Sequence, residues 1–234
     1  MILRPLVPAG PPIVIGEEGA RAAVADAWRP DEAVRVRLNM IASVTGSSTG
    51  SDGTSETLTN RVDLTILGVV REQADVVLVG AASVRAEGYR VPRRVPLAVV
   101  SASGDLAGHR LELQEGSRVL LLVPESRGAV EGLPAGVEVV PVPSSSERIG
   151  VDELLEALAG LGLHRVVCEG GASLSGQFLA SGRVDELCLT TSPRVVLPGL
   201  PVATGTAVVD DAYALTLLAA DDSGAVYARW SRTR

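Results

Sequence analysis

Two spacings of apolar residues succeed one another along this chain, and they predict alternating strands and helices. Val34, Val36, Leu38, Met40 and Ala42 alternate with Arg35, Arg37 and Asn39, which is a strand pattern. Val62, Ile66, Leu67, Val69 and Val70 then recur at helical spacing behind Thr59, a residue able to cap a helix that ends around residues 71–73. Residues 75–80 (DVVLVG) are continuously apolar, as expected of a strand covered on both faces in a parallel sheet. Residues 96–101, 118–123 and 137–142 repeat that pattern, with a short helix expected over 81–87. A clearer helix spans 152–161, with Leu154, Leu155 and Leu158 inward and Asp152 and Glu153 in its first turn. Residues 186–192 form a strand that Pro193 breaks. Residues 213–219 and 225–231 flank Asp221, Asp222, Ser223 and Gly224, the signature of a hairpin turn. At the other end, proline-rich residues 1–16 predict a surface arm, and residues 17–28 a short helix closed by Pro30.

One stretch, RVVCEGGASLSGQFLASG (165–182), stands out from this alternation. A short apolar run leads through Glu169 into Gly170 and Gly171, and a helix follows over 172–181 with Leu174, Phe178 and Leu179 at helical spacing. Gly182 stands where a glycine stop belongs. Strand, paired glycines and helix point bare N–H groups and a positive helix end at whatever lies above, so a phosphate is a natural guest. A plain tight turn is the competing reading.

The pattern predicts a single-domain α/β fold with a mostly parallel central sheet, helices on both faces and a C-terminal antiparallel hairpin at the edge. Residues 1–33 form the arm and short helix, and residues 34–234 the body. The loops at 43–46, 80–83, 101–104 and 169–173 are small and polar, and each follows a strand. In an open parallel sheet they share the carboxyl edge, where ligands bind.

Composition narrows the function. Of 234 residues, 46% are hydrophobic but 3% aromatic, so the core is built from Val, Leu, Ala and Ile. A net charge of −7 argues against nucleic acid or an acidic membrane surface as partner. No apolar run reaches the ~18 residues of a membrane span. The N-terminus carries too many prolines for a signal peptide, so a cytoplasmic protein is expected. Cys168 and Cys188 lie in apolar runs and read as buried free thiols. His109 and His164 lie far apart, with no CxxC or HxxxH spacing, which argues against a bound catalytic metal and a Ser–His–Asp hydrolase. No GxGxxG follows the first strand, and there is no GxxxxGK[ST].

Five segments carry a resemblance: LNMIASVTG (38–46), DGTSETLT (52–59), VVREQADVVLVGAASVRAEGY (69–89), VVCEGGASLSGQFLASGRVDELCLTTSPRVV (166–196) and DDSGAVYARW (221–230). Together they resemble the reductase domain of bifunctional riboflavin-biosynthesis deaminase–reductases, a domain similar in fold to dihydrofolate reductase. The deaminase zinc motif is absent. The resemblance implies an NADPH-dependent reductase that converts the ribosyl C1′ of a pyrimidine ribosylamino phosphate to a ribityl group, working as a homodimer. It further implies a cofactor side made of Ala42, Ser83, Glu87 and Ser101 with Gly170, Gly171, Ala172, Ser173, Leu174, Ser175, Gly176 and Gln177. Ser103 could help Ser101 bind the adenosine 2′-phosphate, although no arginine is obviously placed with them. The substrate side comprises Asn39, Thr45, Ser55, Arg71 and Glu169, with Arg71 as the partner of the substrate phosphate. A guanidinium near a helix C-terminus also simply favours the dipole. A carboxylate beside a pyrophosphate would repel it, so Glu169 should face away, toward amino or hydroxyl donors. The family's S-L-D-G loop reads Ser43, Val44, Thr45, Gly46 here, which makes Thr45 the candidate residue at the reacting centre. Reduction of dihydrofolate or another small heterocycle, and nucleotide binding without turnover, are the alternatives.

Overall fold

A computed structural model gives the fold and describes residues 1–130 and 132–233. Strands Ile2–Val7 (β1) and Ile13–Val14 (β2) precede helix Ala20–Ala27 (α1). Val36–Ser43 (β3), Arg61–Glu72 (α2), Val76–Gly80 (β4) and Ala81–Ala86 (α3) follow. Next come the short Tyr89–Arg90 (β5), Leu97–Val100 (β6), the short Leu111–Glu112 (β7), Val119–Pro124 (β8) and Val137–Val142 (β9). Val151–Gly160 (α4), Val166–Cys168 (β10), Ala172–Ala180 (α5), Glu186–Ser192 (β11), Tyr213–Asp221 (β12) and Val226–Arg232 (β13) complete the chain.

Eleven strands form one sheet in the order β2-β1-β12-β13-β11-β3-β10-β4-β6-β8-β9. Pairing is parallel from β11 through β9 and antiparallel on the other side, from β11 through β2. The α/β class and the mostly parallel centre expected from the sequence hold. Strands β5 and β7 pair apart from it. Alternate residues of the central strands feed opposite layers. Val76, Leu78, Val166 and Cys168 pack with Leu154 and Leu158 of α4 and Leu174 and Phe178 of α5. Val167 packs on the other face with Val24 and Trp28, and with Val62, Ile66, Val69 and Val70 of α2. Val77 and Val79 meet Ala81 and Val84 of α3 on that same side. The two cysteines are free and buried; burial pushes their thiols up, to about 12 for Cys168 and about 11 for Cys188.

Three expectations need correction. The proline-rich N-terminus is not a surface arm: β1 pairs with β12, anchored by the fully buried Leu3. Pro5 is tolerated because β2 pairs only Ile2 and Leu3, so at Pro5 the strand has a neighbour on one side only. The hairpin is therefore not the edge of the sheet, since β1 and β2 lie beyond it. The cap of α2 is Asn60, whose side chain accepts from Val62 N and Asp63 N, while Thr59 donates to Asp63 instead. Arg37 is 3% exposed, and it donates to Glu186 at 2.8 Å, to Gln73 at 3.0 Å and to the Trp28 carbonyl at 2.7 Å.

The turn between β12 and β13 is tied to the start of α2 through Asp221. Its carboxylate accepts from Ser223 N at 2.8 Å, Ala225 N at 3.1 Å, Tyr227 OH at 2.7 Å and Asn60 Nδ2 at 2.8 Å. Burial pushes the Asp221 pKa up, and these donors more than reverse it, leaving the group below its ordinary value. The stability it supplies is thus complete above the ordinary carboxylate range and is lost as pH falls through the lowered native value. Asp221→Asn is expected to cost about 1–3 kcal/mol at neutral pH. Urea melts should show this difference shrinking in acid; a pH-independent difference would contradict the assignment.

Candidate active site

The parallel strands β3, β10, β4 and β6 are neighbours, so the loops at 43–46, 169–173, 80–83 and 101–104 leave one edge of the sheet together. At its centre Gly80 N donates to the Gly170 carbonyl at 2.8 Å, and Gly171 N donates to Ser83 Oγ at 2.8 Å. Gly170 has φ +86°, a region only glycine enters freely, and its peptide to Gly171 is cis. A Cβ at Gly170 would meet Met40 Sδ at 2.9 Å, and one at Gly171 would meet Ser83 Oγ at 3.0 Å. The first turn of α5 therefore leaves the sheet edge as bare backbone.

Glu169 immediately precedes this turn and faces the α2 side. Arg71, in the last turn of α2, holds its carboxylate with two hydrogen bonds, Nε to Oε1 and Nη2 to Oε2, each 2.7 Å. Tyr89 donates its hydroxyl to Glu169 Oε2 and accepts from Arg71 Nη2 at 2.9 Å, while the Arg71 guanidinium lies 5.1 Å from the Tyr89 ring centre. Burial works against the Arg71 charge and Glu169 outweighs it, so the guanidinium is held above its ordinary value. Two more carboxyls face this pair. Asp63 accepts from Thr59 and from Thr190 at 2.7 Å; burial raises its pKa, and the Glu169 charge adds to the rise. Glu87 accepts from Ser55 Oγ at 2.8 Å, and burial raises its pKa more than that donor lowers it.

The residues singled out in the sequence divide accordingly. Arg71 and Glu169 are in direct contact, as are Ser55 and Glu87, which the sequence had put on opposite sides. By alternation Asn39 shares the α2-facing side of β3 with Arg37, while Ala42 shares the α5-facing side with Leu38. Ser83 touches the glycine turn, and Ser101, 5% exposed, lies 3.5 Å from Ser103, hydroxyl to hydroxyl. Of the helix positions, Ser173 is exposed in the first turn of α5, whereas Ala172, Leu174 and Ser175 are buried. Gly176 is covered by the loop after β11: a Cβ there would lie 1.8 Å from the Thr204 carbonyl oxygen. Gln177 bonds back to the Ser173 carbonyl at 3.3 Å. Thr45 turns to the same loop, donating to the Val196 carbonyl at 2.9 Å and accepting from Val196 N at 3.0 Å, which makes it a loop clasp. Sequence reasoning missed Asp63, Tyr89 and Thr190. Asp63 was legible in one respect, since it lies eight residues before Arg71 on the stripe that also carries Leu67. A hollow of about 580 Å³ lies at the opposite edge among Arg35, Val36, His164, Arg183 and Arg232, away from this cluster. Among the described residues, no group of His, Cys, Asp and Glu has a metal-binding arrangement, and no helix is long and apolar enough to cross a membrane.

Comparison with known proteins places this geometry. The model of the RibD C-terminal domain matches residues 34–206. The 2,5-diamino-6-ribosylamino-4(3H)-pyrimidinone 5′-phosphate reductase of Methanothermobacter thermautotrophicus is 27% identical over 69% of this chain and 78% of its own. The riboflavin biosynthesis protein RibD of Bacillus amyloliquefaciens is 27% identical over 69% of this chain, which spans 46% of that longer protein. Among solved structures, a pyrimidine reductase-like protein from Corynebacterium diphtheriae superposes with TM-score 0.68 and 23% identity over 86% of this chain and 92% of that one. With the match running through the clustered Arg71, Glu87 and Glu169 and the glycine turn, the chain belongs to the RibD C-terminal domain family.

Proposed function

We propose that this protein is an NADPH-dependent reductase of a pyrimidine ribosylamino phosphate, reducing the ribosyl C1′ to a ribityl carbon. The observation that carries the reading is the meeting of two environments on one sheet edge. A bare backbone turn heads α5, and beside it lies a carboxylate–guanidinium–phenol cluster facing the other way. Family membership and the reductase name of the archaeal relative support it.

The residues present fit a dinucleotide phosphate, because α5 opens at this edge on the small residues Gly171, Ala172 and Ser173 and points its positive end there. When bound, the nicotinamide supplies the hydride. The chain's own residues bind and orient. Ala172 and Ser173 offer backbone N–H groups, the Gly171 N–H being held by Ser83, and Glu169 presents an acceptor to amino or hydroxyl groups of the substrate. Arg71 fixes Glu169, and its Nη1, which makes no hydrogen bond among the described residues, remains to meet an anion. Glu87, whose carboxyl burial pushes up from its ordinary value, faces the same cluster and is the nearby group that could exchange a proton with the substrate. Thr45 clasps the first loop to the loop after β11 through its bonds to Val196. The reading extends to a cytoplasmic homodimer, supported by the exposed apolar loop carrying Val195, Leu197 and Val208.

NADPH oxidation with the phosphoribosylamino-pyrimidines and with dihydrofolate tests the reading: the pyrimidines should be the better substrates, and oxidation with dihydrofolate alone would refute it. Arg71→Ala should lower kcat/KM for the phosphorylated substrate by ~1.5–3 kcal/mol and leave NADPH affinity nearly unchanged. Loss of NADPH binding in that variant would move Arg71 to the cofactor side.

A further inference from the structure

Asp63 is a partly buried acid held by hydroxyls alone. Its Oδ1 accepts from Thr190 Oγ1 at 2.7 Å, and its Oδ2 accepts from Thr59 Oγ1. Each oxygen keeps a lone pair beyond that donor. Glu169 and Glu186, on the same side of the sheet, each hold an arginine. Asp63 makes no ion pair among the described residues. On α2, Asp63, Leu67 and Arg71 stand at four-residue spacing, a stripe about 12 Å long. One end bonds to β11 through Thr190, and the other reaches Glu169 just past β10. Strand β3 runs between β11 and β10, and on the α2-facing side it carries Asn39 and, beside Thr190, Ile41. Leu67 and Ile41 are both partly exposed, and neither belongs to one of the three packed cores. The strip between helix and strand is thus apolar in the middle, acidic at one end and basic at the other.

We propose that Asp63 reads the substrate's pyrimidine ring, accepting from N3–H and a 2-amino group at once, and so selects the 2-amino-4-oxo ring over the 2,4-dioxo ring. The inference rests on the reductase reading above and names the ring form that reading leaves open. With the phosphate at Arg71, the ring comes over Leu67 and Ile41, and the edge farthest from the ribosylamino group meets Asp63. In the 2-amino form that edge offers two adjacent donors to a carboxylate with one lone pair spare on each oxygen. In the dioxo form it offers one donor and one carbonyl, and the carbonyl faces a carboxylate oxygen, acceptor against acceptor. A site built around hydrogen bonds rejects such a mismatch strongly, because a desolvated polar group is left unpaired. The rival is a helix-end role, since Asp63 lies in the first turn of α2, where negative charge is favoured. That role would not distinguish the two rings.

Steady-state NADPH oxidation by the intact chain, with each ring form of the ribosylamino phosphate, tests this. The wild type should show kcat/KM at least ~10-fold higher for the 2-amino form. Asp63→Asn keeps the shape but sets one donor and one acceptor where two acceptors stood, which matches N3–H and the C2 carbonyl. A threonine hydroxyl can turn to accept from the new amide. The preference should fall at least ~10-fold or reverse, while NADPH affinity, read by calorimetry, stays at the wild-type value. A wild type that prefers the dioxo form, or an Asp63→Asn protein that keeps the wild-type ratio, overturns the proposal. Equal loss on both rings with a lowered Tm would mark a structural role and overturn it too. Thr190→Val, a milder change that frees Oδ1 from its tether, should shrink the ratio several-fold; it serves where Asp63→Asn does not fold, and an unchanged ratio there is equally fatal. If the wild type reduces neither ring form, the reductase reading falls and this inference with it, an outcome distinct from the others.

Discussion

Gly171→Val is expected to cut NADPH affinity at least ~100-fold, equivalent to about 2.7 kcal/mol, while leaving the fold standing. The backbone at Gly171 has φ −43° and ψ 179°, so a side chain is not forbidden by conformation. Its Cβ would meet one neighbour, Ser83 Oγ at 3.0 Å, and a serine hydroxyl can rotate away. A valine there would instead occupy the space above the α5 N-terminus, where phosphate oxygens must approach the backbone to within hydrogen-bond distance. The same substitution at Gly170 would be uninformative, because φ +86° and Met40 at 2.9 Å make that glycine a requirement of the fold. Calorimetry reads the affinity and a thermal melt reads the fold. Wild-type affinity in a folded Gly171→Val protein would show that the cofactor does not bind there.

Glu186→Ala is expected to destabilise the protein by about 3–5 kcal/mol without touching the site. Glu186 is 1% exposed and receives Arg37 Nε at 2.8 Å, with Arg229 at 3.8 Å and Ser231 Oγ at 3.4 Å. Removing it leaves the Arg37 guanidinium buried with only Gln73 and the Trp28 carbonyl as partners. For a chain of this length the loss corresponds to roughly 6–20 °C in Tm. Replacing both partners together, Arg37→Met with Glu186→Leu, should cost clearly less than Glu186→Ala alone, because the buried Arg37 charge is then not stranded. If the double variant is the less stable of the two, the pair is not the unit argued here.

The contrast between Arg37 and Leu38 shows what the sequence could and could not reveal. Strand existence and order of succession were legible in β3, β4, β6 and β8 because their apolar residues record burial, which is a local signature. Two-sided burial of β3 was not, since Arg37 reads as a solvent-facing residue until its partner on β11 is known. The N-terminal strand was missed for a related reason: Pro5 suggests no sheet, yet it is harmless where only one neighbour needs hydrogen bonds. At the site, the glycine turn was legible because backbone chemistry is written in the residues that make it. The family pattern pointed to Arg71 and Glu169, but their mutual contact joins residues 98 apart and has no local trace. Thr45 drew attention by departing from the family's loop, and its bonds to Val196, 151 residues away, have no local trace in the sequence.

The central claim, that this sheet edge brings a nicotinamide to the ribosyl C1′ of a pyrimidine ribosylamino phosphate, is tested most directly by isotope transfer. The protein would be incubated with NADPH carrying deuterium at the transferable C4 position and with the ribosylamino-pyrimidine phosphate, and the product read by mass spectrometry and proton NMR. The account predicts a ribityl product with a single deuterium, located at C1′. A ribityl product without deuterium, or a substrate recovered unchanged while both ligands bind, would contradict it.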